Sequence, residues 1–240
     1  IKRSSFIGCE FGNVEIVGDD AFFEQTEIKQ AGDYCIVVDG LRAEVSRNRI
    51  TLCDGIGIEV YDTNYPIVNN NTLVNTEGDA ITVTCDGNAS CNGGEIRGNK
   101  VTDAGISGND CVELFAEVAD GEFVVSDNHC HRAYETAFRI SGSGVQVINN
   151  RVFGGGEDEG DEAYHIFGED HYLERNRVED WHSVGFELDG SGHMLSRNDV
   201  RRSLADGFVV DGDDITLVNN VAQDNVCLLY TSDAADELLG

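Results

Sequence analysis

A short motif of the form apolar-x-x-Asn-x-apolar recurs along almost the whole chain, first at residues 45–50 and again at 68–73. Successive copies lie 23, 28, 29, 22, 26, 22 and 22 residues apart, so the base period is 22 residues with insertions in some turns. A fixed period of this size is typical of solenoid proteins. Thr26 occupies the Asn position of an earlier, degenerate copy. The full column is Asn48, Asn71, Asn99, Asn128, Asn150, Asn176, Asn198 and Asn220.

A second motif, small-apolar-x-apolar, follows ten residues after the Asn in turns without insertions. Its first position is always Gly, Ala or Cys, as expected where a tight bend leaves no room for a large side chain. Alternation with a period of two and many β-branched or aromatic residues predict strands. The eight copies begin at Cys35, Gly57, Ala80, Cys111, Ala137, Ala163, Gly185 and Gly207.

Together the two motifs predict an all-β, right-handed parallel β-helix solenoid of about 8–9 turns. Stacked turns would pair in parallel about 4.8 Å apart, and the Asn column would form an internal ladder of side-chain amides. The pattern resembles the pectin lyase-like superfamily over about residues 5–226. A leucine-rich repeat, suggested by residues 215–222, is the main alternative, although Leu is uncommon in the apolar columns.

We predict one solenoid domain over residues 1–226, incomplete at both ends because neither end shows a polar cap. Residues 227–240 break the repeat and resemble the translation of a common transposase sequencing adapter, which indicates a non-native tail.

The 240-residue chain contains 45 acidic and 16 basic residues, for a net charge of −29. This balance argues against nucleic-acid and anionic-membrane binding, and no apolar run is long enough for a membrane-spanning helix. The acidity resembles that of proteins from extreme halophiles; an ordinary acidic secreted protein is the alternative.

The cysteines do not have the spacing of a zinc site. Cys85 and Cys91 bracket an inserted loop and could form a disulfide in an oxidising compartment. Cys35, Cys111 and Cys130 are interpreted as small buried hydrophobic residues. A second insertion, residues 154–162, is rich in Gly and acids and could hold Ca²⁺, although its composition favours a flexible, well-solvated loop.

One outward-facing column is the candidate catalytic site. The third position of the small-apolar-x-apolar strands points away from the core, and successive turns place Glu113, Arg139, His165 and Glu187 there. In a lyase, Arg could offset a substrate carboxylate while His removes a proton; in a glycosidase, two carboxylates act as acid and base or nucleophile. The alternative is ordinary cross-strand pairing on an exposed strand.

A neighbouring outward column carries candidate substrate-binding residues, namely Tyr61, Phe115, Phe167 and Asp189. Two positions before the first apolar residue, a third column contains Asp79, Asp110, Thr136, Glu162 and Asp206. We interpret the remaining histidines, His171 and His193 among them, as surface residues, and Trp181 as a packing residue.

The resemblance implies a secreted or cell-surface protein that binds or acts on a polysaccharide, as a lyase, hydrolase or epimerase. The polygalacturonase and mannuronan-epimerase signatures are absent, and no pectate-lyase Ca²⁺ cluster can be assigned. A non-catalytic surface or adhesion solenoid therefore remains the alternative, and a metalloenzyme maturation protein is a third class.

Overall fold

The computed structural model describes residues 1–9, 14–85, 91–105, 109–117, 122–156 and 161–231, and these form a parallel β-solenoid. Each coil contributes one strand to each of three sheets, except the last described coil, which contributes to the first and second sheets. The predicted β-helix is confirmed, and the described residues contain no helix of the kind a leucine-rich repeat with helical backs would need. No helix in these ranges is long and apolar enough to cross a membrane.

The strands follow the coil in the same order throughout. The first sheet comprises β1 (Ser5–Cys9), β4 (Glu27–Ala31), β7 (Arg49–Cys53), β10 (Thr72–Thr76), β13 (Lys100–Ala104), β16 (His129–Ala133), β19 (Arg151–Gly155), β22 (Arg177–Trp181), β25 (Asp199–Arg201) and β28 (Val221–Gln223). The second comprises β2 (Val14–Val17), β5 (Tyr34–Asp39), β8 (Ile56–Tyr61), β11 (Ile81–Cys85), β14 (Val112–Glu117), β17 (Phe138–Ser143), β20 (Tyr164–Glu169), β23 (Phe186–Ser191), β26 (Asp206–Asp213) and β29 (Cys227–Thr231). The third comprises β3 (Phe22–Glu24), β6 (Glu44–Ser46), β9 (Ile67–Asn69), β12 (Gly94–Arg97), β15 (Phe123–Ser126), β18 (Val145–Ile148), β21 (Tyr172–Glu174), β24 (Met194–Ser196) and β27 (Thr216–Val218).

The Asn column lies at the corner between the third and first sheets. Asn150 is fully buried; its Nδ2 donates to the backbone oxygen of Val125 (2.8 Å) and to Oδ1 of Asn176 (3.1 Å). Its own Oδ1 accepts from the backbone N–H and the Nδ2 of Asn128. The residue before each Asn has a positive φ, for example 57° at Asn70 and 55° at Asn149, which turns the chain between sheets. The ladder therefore satisfies buried backbone groups that the corner leaves outside the sheets.

The small column is explained by close packing at the start of the second-sheet strands. A Cβ added to Gly185 would lie 2.6 Å from the backbone oxygen of Gly207 and 2.5 Å from a methyl group of Val200. A larger residue at this position would require the neighbouring coil to move.

Stacked aromatic rings fill the interior beneath the middle of the second sheet. Phe138, Tyr164, Phe186 and Phe208 form a continuous stack with ring centroids 4.9, 4.4 and 5.2 Å apart. Parallel register places these aromatic rings one coil apart, so their stacking stabilises the strands that carry the outward column.

Three disulfides link described cysteines. Cys85 pairs with Cys91, and two further bridges join a first-sheet strand to the second-sheet segment one coil earlier: Cys35–Cys53 and Cys111–Cys130. The interpretation of Cys35, Cys111 and Cys130 as unpaired hydrophobic residues is wrong, although all three are buried. Each long bridge spans 18 or 19 residues, a loop size for which a disulfide contributes about 3 kcal/mol through the unfolded state.

Two histidines also differ from expectation. His171 and His193 are buried and stacked, with ring centroids 5.2 Å apart, so their interpretation as surface residues is wrong. Trp181 is fully buried in β22, and its Nε1 donates to the backbone oxygen of Asp161 (2.6 Å).

The predicted domain boundary, between residues 226 and 227, coincides with the start of β29, which extends the second sheet. The rest of the predicted tail, 232–240, lies outside the described residues. The insertion at 154–162 proposed for Ca²⁺ is partly outside them too, at 157–160.

Candidate active site

The outward column lies in register on consecutive strands of the second sheet. Glu113 on β14 is paired with Arg139 on β17, Arg139 with His165 on β20, and His165 with Glu187 on β23. The column continues in the other direction through Thr82 to Glu59. Glu59, Glu113, Arg139, His165 and Glu187 are half-buried, so the structure brings the four predicted catalytic side chains to one face.

Arg139 in the middle of the column is held by the preceding outward positions. Its Nε donates to Oδ2 of Asp110 (2.6 Å), and its second terminal nitrogen donates to the Thr136 hydroxyl (3.2 Å). The Asp110 carboxylate is almost fully buried and also accepts from the Thr136 backbone N–H (3.1 Å). Burial raises the pKa of Asp110 to about 6, although Arg139 acts in the opposite direction. The Arg139 guanidinium is thus already paired with a carboxylate of the protein, that of Asp110.

A first group of carboxyls lies on one side of Arg139. Asp79 accepts from the Asp110 backbone N–H (2.7 Å) and from the Thr82 hydroxyl (3.3 Å), and shares a side-chain hydrogen bond with Glu113. Burial, followed by the charges of Asp79 and Asp110, raises the pKa of Glu113 to about 7. Burial and the charge of Asp79 also raise the pKa of Glu59. A protonated Glu113 can therefore be present near neutral pH beside ionised neighbours.

A second group lies on the other side of Arg139. The Nδ1 of His165 is 3.4 Å from Oε2 of Glu162, and its Nε2 is 3.3 Å from Oδ2 of Asp189. Glu162 is buried, and burial together with its hydrogen bond to Glu187 raises its pKa to about 8. Ligand atoms of Glu162, His165 and Glu187 lie within 4.8 Å of one another, the geometry of a candidate metal centre.

Aromatic side chains flank the column two residues further along the strands. Phe115 is 40% exposed, and Phe167, two strands away in the same register, packs edge-on against His165 with ring centroids 4.5 Å apart. Tyr61 is half-buried and two strands from Phe115 on the other side. The fourth candidate binding residue, Asp189, contacts His165 instead of extending the aromatic row.

The residues that sequence reasoning did not assign to the site are Asp79, Asp110 and Glu162. They belong to the column two positions before the first apolar residue, and that recurrence of acids was the available signal. Alternation along a strand does not show that these side chains turn towards the outward column, because they precede the regular part of the strand.

The distance along the sheet shows which pairs of carboxyls could act together in a glycosidase. Glu113 and Glu187 lie three strands apart, about 14 Å at the spacing of a parallel sheet. The two carboxyls of a glycosidase lie about 5 to 9.5 Å apart. Glu59 and Glu113 are two strands apart, and the resulting separation of about 10 Å between their backbones is close to the upper end of that range.

Comparisons with known proteins agree with the fold. The family model described as "Right handed beta helix region" matches residues 1–118. No curated protein sequence matches the chain. Two solved structures, both described as catalytic domains of a GH87 alpha-1,3-glucanase in complex with nigerose, one with an aspartate replaced by alanine, align with TM-scores of 0.56 at 9% identity. Each alignment covers 88% of this chain and 49% of the other, so the chain spans about half the length of these structures. At this identity the likeness concerns the fold, and the chain is a right-handed parallel β-helix protein.

Proposed function

We propose that the protein is a carbohydrate-active β-helix that hydrolyses a glycosidic bond in a neutral polysaccharide on the outward face of its second sheet. The carrying observation is the half-buried Glu113 carboxyl, hydrogen-bonded to Asp79 and two strands from Glu59. In this site Glu113 donates a proton to the leaving oxygen, and Glu59 activates the water that attacks from the opposite side.

The chemistry favours a hydrolase over a lyase. A lyase that acts on a uronic acid must offset the substrate carboxylate, and Arg139 is already paired with Asp110. The face also carries Asp79 and Glu59, which would repel an anionic chain. A neutral sugar avoids this repulsion and can stack its apolar face on Phe115 and Phe167.

The comparisons support the class of substrate. The aligned solved structures are described as glucanase domains that hold a disaccharide, and fold likeness by itself is a weak basis for assigning an activity. The three disulfides fit an oxidising environment, in line with a secreted or cell-surface location for a protein that acts on polysaccharide.

A product assay tests the proposal directly. The full chain is incubated with α-1,3-glucan, with other neutral glucans and with a polyuronate, and reducing ends and unsaturated products are measured. We expect reducing ends from a neutral glucan, and an inverted anomeric configuration of the first product by NMR. Unsaturated products from the polyuronate would show a lyase instead, and a retained configuration would contradict the role of Glu59.

Substitution of Glu113 gives the sharper test. We expect Glu113→Gln to lower kcat/KM by about 10²- to 10⁴-fold, the usual contribution of a general acid. Because the acid must be protonated and the pKa of Glu113 is about 7, wild-type kcat should fall as the pH rises above about 7. Glu27→Gln, on the first sheet beside Lys29, is the matched control and should keep full activity.

A non-catalytic glycan-binding solenoid is the second candidate, favoured by the exposed Phe115. Binding of a glucan without any cleavage, with affinity lost in Phe115→Ala and kept in Glu113→Gln, would support it over hydrolysis.

A further inference from the structure

The second acidic group contains a feature that glycoside hydrolysis does not use. Glu162 and His165 lie three residues apart at the start of β20, and Glu187 lies beside His165 on β23. One ligand atom from each lies within 4.8 Å of the other two. Among the described residues, these three are the group of potential metal ligands whose ligand atoms lie this close together.

The carboxyl groups of Glu162 and Glu187 are in direct contact. Glu162 is 6% exposed and hydrogen-bonded to Glu187. Two carboxylates in such contact repel each other unless a proton or a cation lies between them. A bound cation would satisfy both while replacing the shared proton.

The imidazole of His165 is oriented in the manner of a metal ligand. Its Nε2 lies 3.3 Å from a carboxylate oxygen of Asp189, so the Nε2–H can donate there and leave the Nδ1 lone pair directed at Glu162. Ligating histidines usually donate their second ring nitrogen to a carboxylate or carbonyl in this way. This observation is independent of the two acids. Arg139 is the opposing charge, with a terminal nitrogen 3.4 Å from the same Nδ1, and Asp110 holds that guanidinium through its Nε.

We propose that Glu162, His165 and Glu187 form a binding site for a divalent transition-metal ion of the Zn²⁺ class. One imidazole nitrogen and two carboxylates suit Zn²⁺, whereas Ca²⁺ prefers six to eight oxygen ligands. Three protein ligands leave a fourth position towards the open face, where a water or a sugar hydroxyl can bind. This site stands independently of the hydrolysis assigned to Glu113.

Calorimetry on the full chain, freed of metal by dialysis against a chelator, tests the site. We expect ZnCl₂ to bind with one-to-one stoichiometry and to raise the melting temperature, and CaCl₂ at the same concentration to do neither. His165→Ala and Glu187→Gln should each weaken Zn²⁺ binding at least about 100-fold, and Asp189→Asn, which acts only by orienting His165, by about 10- to 100-fold. His129→Ala, an exposed histidine on the first sheet, should bind as the wild type does.

Two results of this calorimetry would overturn the proposed metal site. Absence of Zn²⁺ binding by the folded wild-type chain would show that Glu162 and Glu187 simply share a proton, and would overturn the site. Equal Zn²⁺ affinity in wild type and in His165→Ala would place the ion elsewhere, with the same consequence. Circular dichroism of each metal-free variant establishes that it is folded. Glu113→Gln should keep Zn²⁺ binding, so failure of hydrolysis and failure of the metal site are distinguishable.

Discussion

At the scale of single residues, the buried histidine pair shows how the coil handles polar groups away from the Asn ladder. The backbone N–H of Val145 donates to Nδ1 of His171 (3.2 Å), and the N–H of His171 donates to Nδ1 of His193 (3.3 Å). The Nε2 atoms lie 3.3 Å from the backbone oxygens of Phe167 and Asp189. Each neutral ring thus accepts at one nitrogen and donates at the other, which a protonated ring could not do.

This pair predicts an acid-sensitive stability. Burial lowers the pKa of His171 to about 4, although its hydrogen bond to the Phe167 backbone oxygen acts in the opposite direction. The unfolded chain, with an ordinary His pKa near 6.5, therefore binds the proton first as the pH falls. The contribution of His171 to the free energy of unfolding is therefore fully present above about pH 6.5. As the pH falls to about 4, the protein loses roughly 3 kcal/mol of stability through this residue.

Denaturant unfolding of wild type and His171→Asn across this pH range measures the effect. Asn keeps an acceptor at the same distance from the backbone and cannot be protonated. The difference between the two free energies of unfolding should therefore change by about 3 kcal/mol between pH 6.5 and 4. A difference that stays constant with pH would contradict the prediction.

At the scale of strands and corners, the Asn ladder links one coil to the next. An interior rung takes part in bonds to two neighbouring coils, whereas Asn220 receives two bonds from Asn198 and donates one to Leu195. Loss of an interior amide leaves several buried donors and acceptors unpaired, each at a cost of about 1–3 kcal/mol.

We therefore expect Asn150→Ala to lower the free energy of unfolding by about 3 kcal/mol or more, and Asn220→Ala, half-buried at the last described rung, to lower it by clearly less. Urea unfolding followed by circular dichroism compares the two variants. Equal losses at both positions would mean that the ladder amides contribute little beyond local packing.

The strand columns also explain what could be predicted from the sequence. The fold could be predicted because Asn and small residues recur in fixed columns with the same neighbours in every turn. The bridges Cys35–Cys53 and Cys111–Cys130 could not be predicted, because the two cysteines of each bridge lie in different columns of the repeat. The outward column containing Glu113 was predicted from alternation, but its division into two acidic groups follows from Asp79, Asp110 and Glu162, whose side-chain directions alternation does not determine.

At the scale of the whole molecule, the charge of −29 is spread over a long surface. Many arginines pair with an acid one coil away, as Arg42 does with Asp20 and Arg202 with Asp180. Such exposed pairs contribute little, and the acids outnumber the bases by 45 to 16. Mutual repulsion among unpaired carboxylates is therefore the dominant long-range electrostatic effect on folding.

Salt should therefore stabilise the protein. KCl shortens the screening distance from about 10 Å at 0.1 M to about 3 Å at 1 M, so the melting temperature should rise by several degrees over this range. The variant Asp54→Asn/Asp62→Asn/Glu77→Gln removes three exposed acids and should show a smaller rise. A melting temperature that is flat or falls with KCl would contradict this interpretation.

The Asn ladder also makes the solenoid electrically directional. Every rung from Asn48 to Asn198 donates its Nδ2 to the Oδ1 of the Asn one coil later, so these side-chain amides point the same way along the axis. Aligned amide dipoles polarise one another and strengthen each bond in the chain. A coil inserted in the middle would therefore add its own contacts and also reinforce the rungs on either side, so this fold can lengthen by whole coils without a compensating change elsewhere.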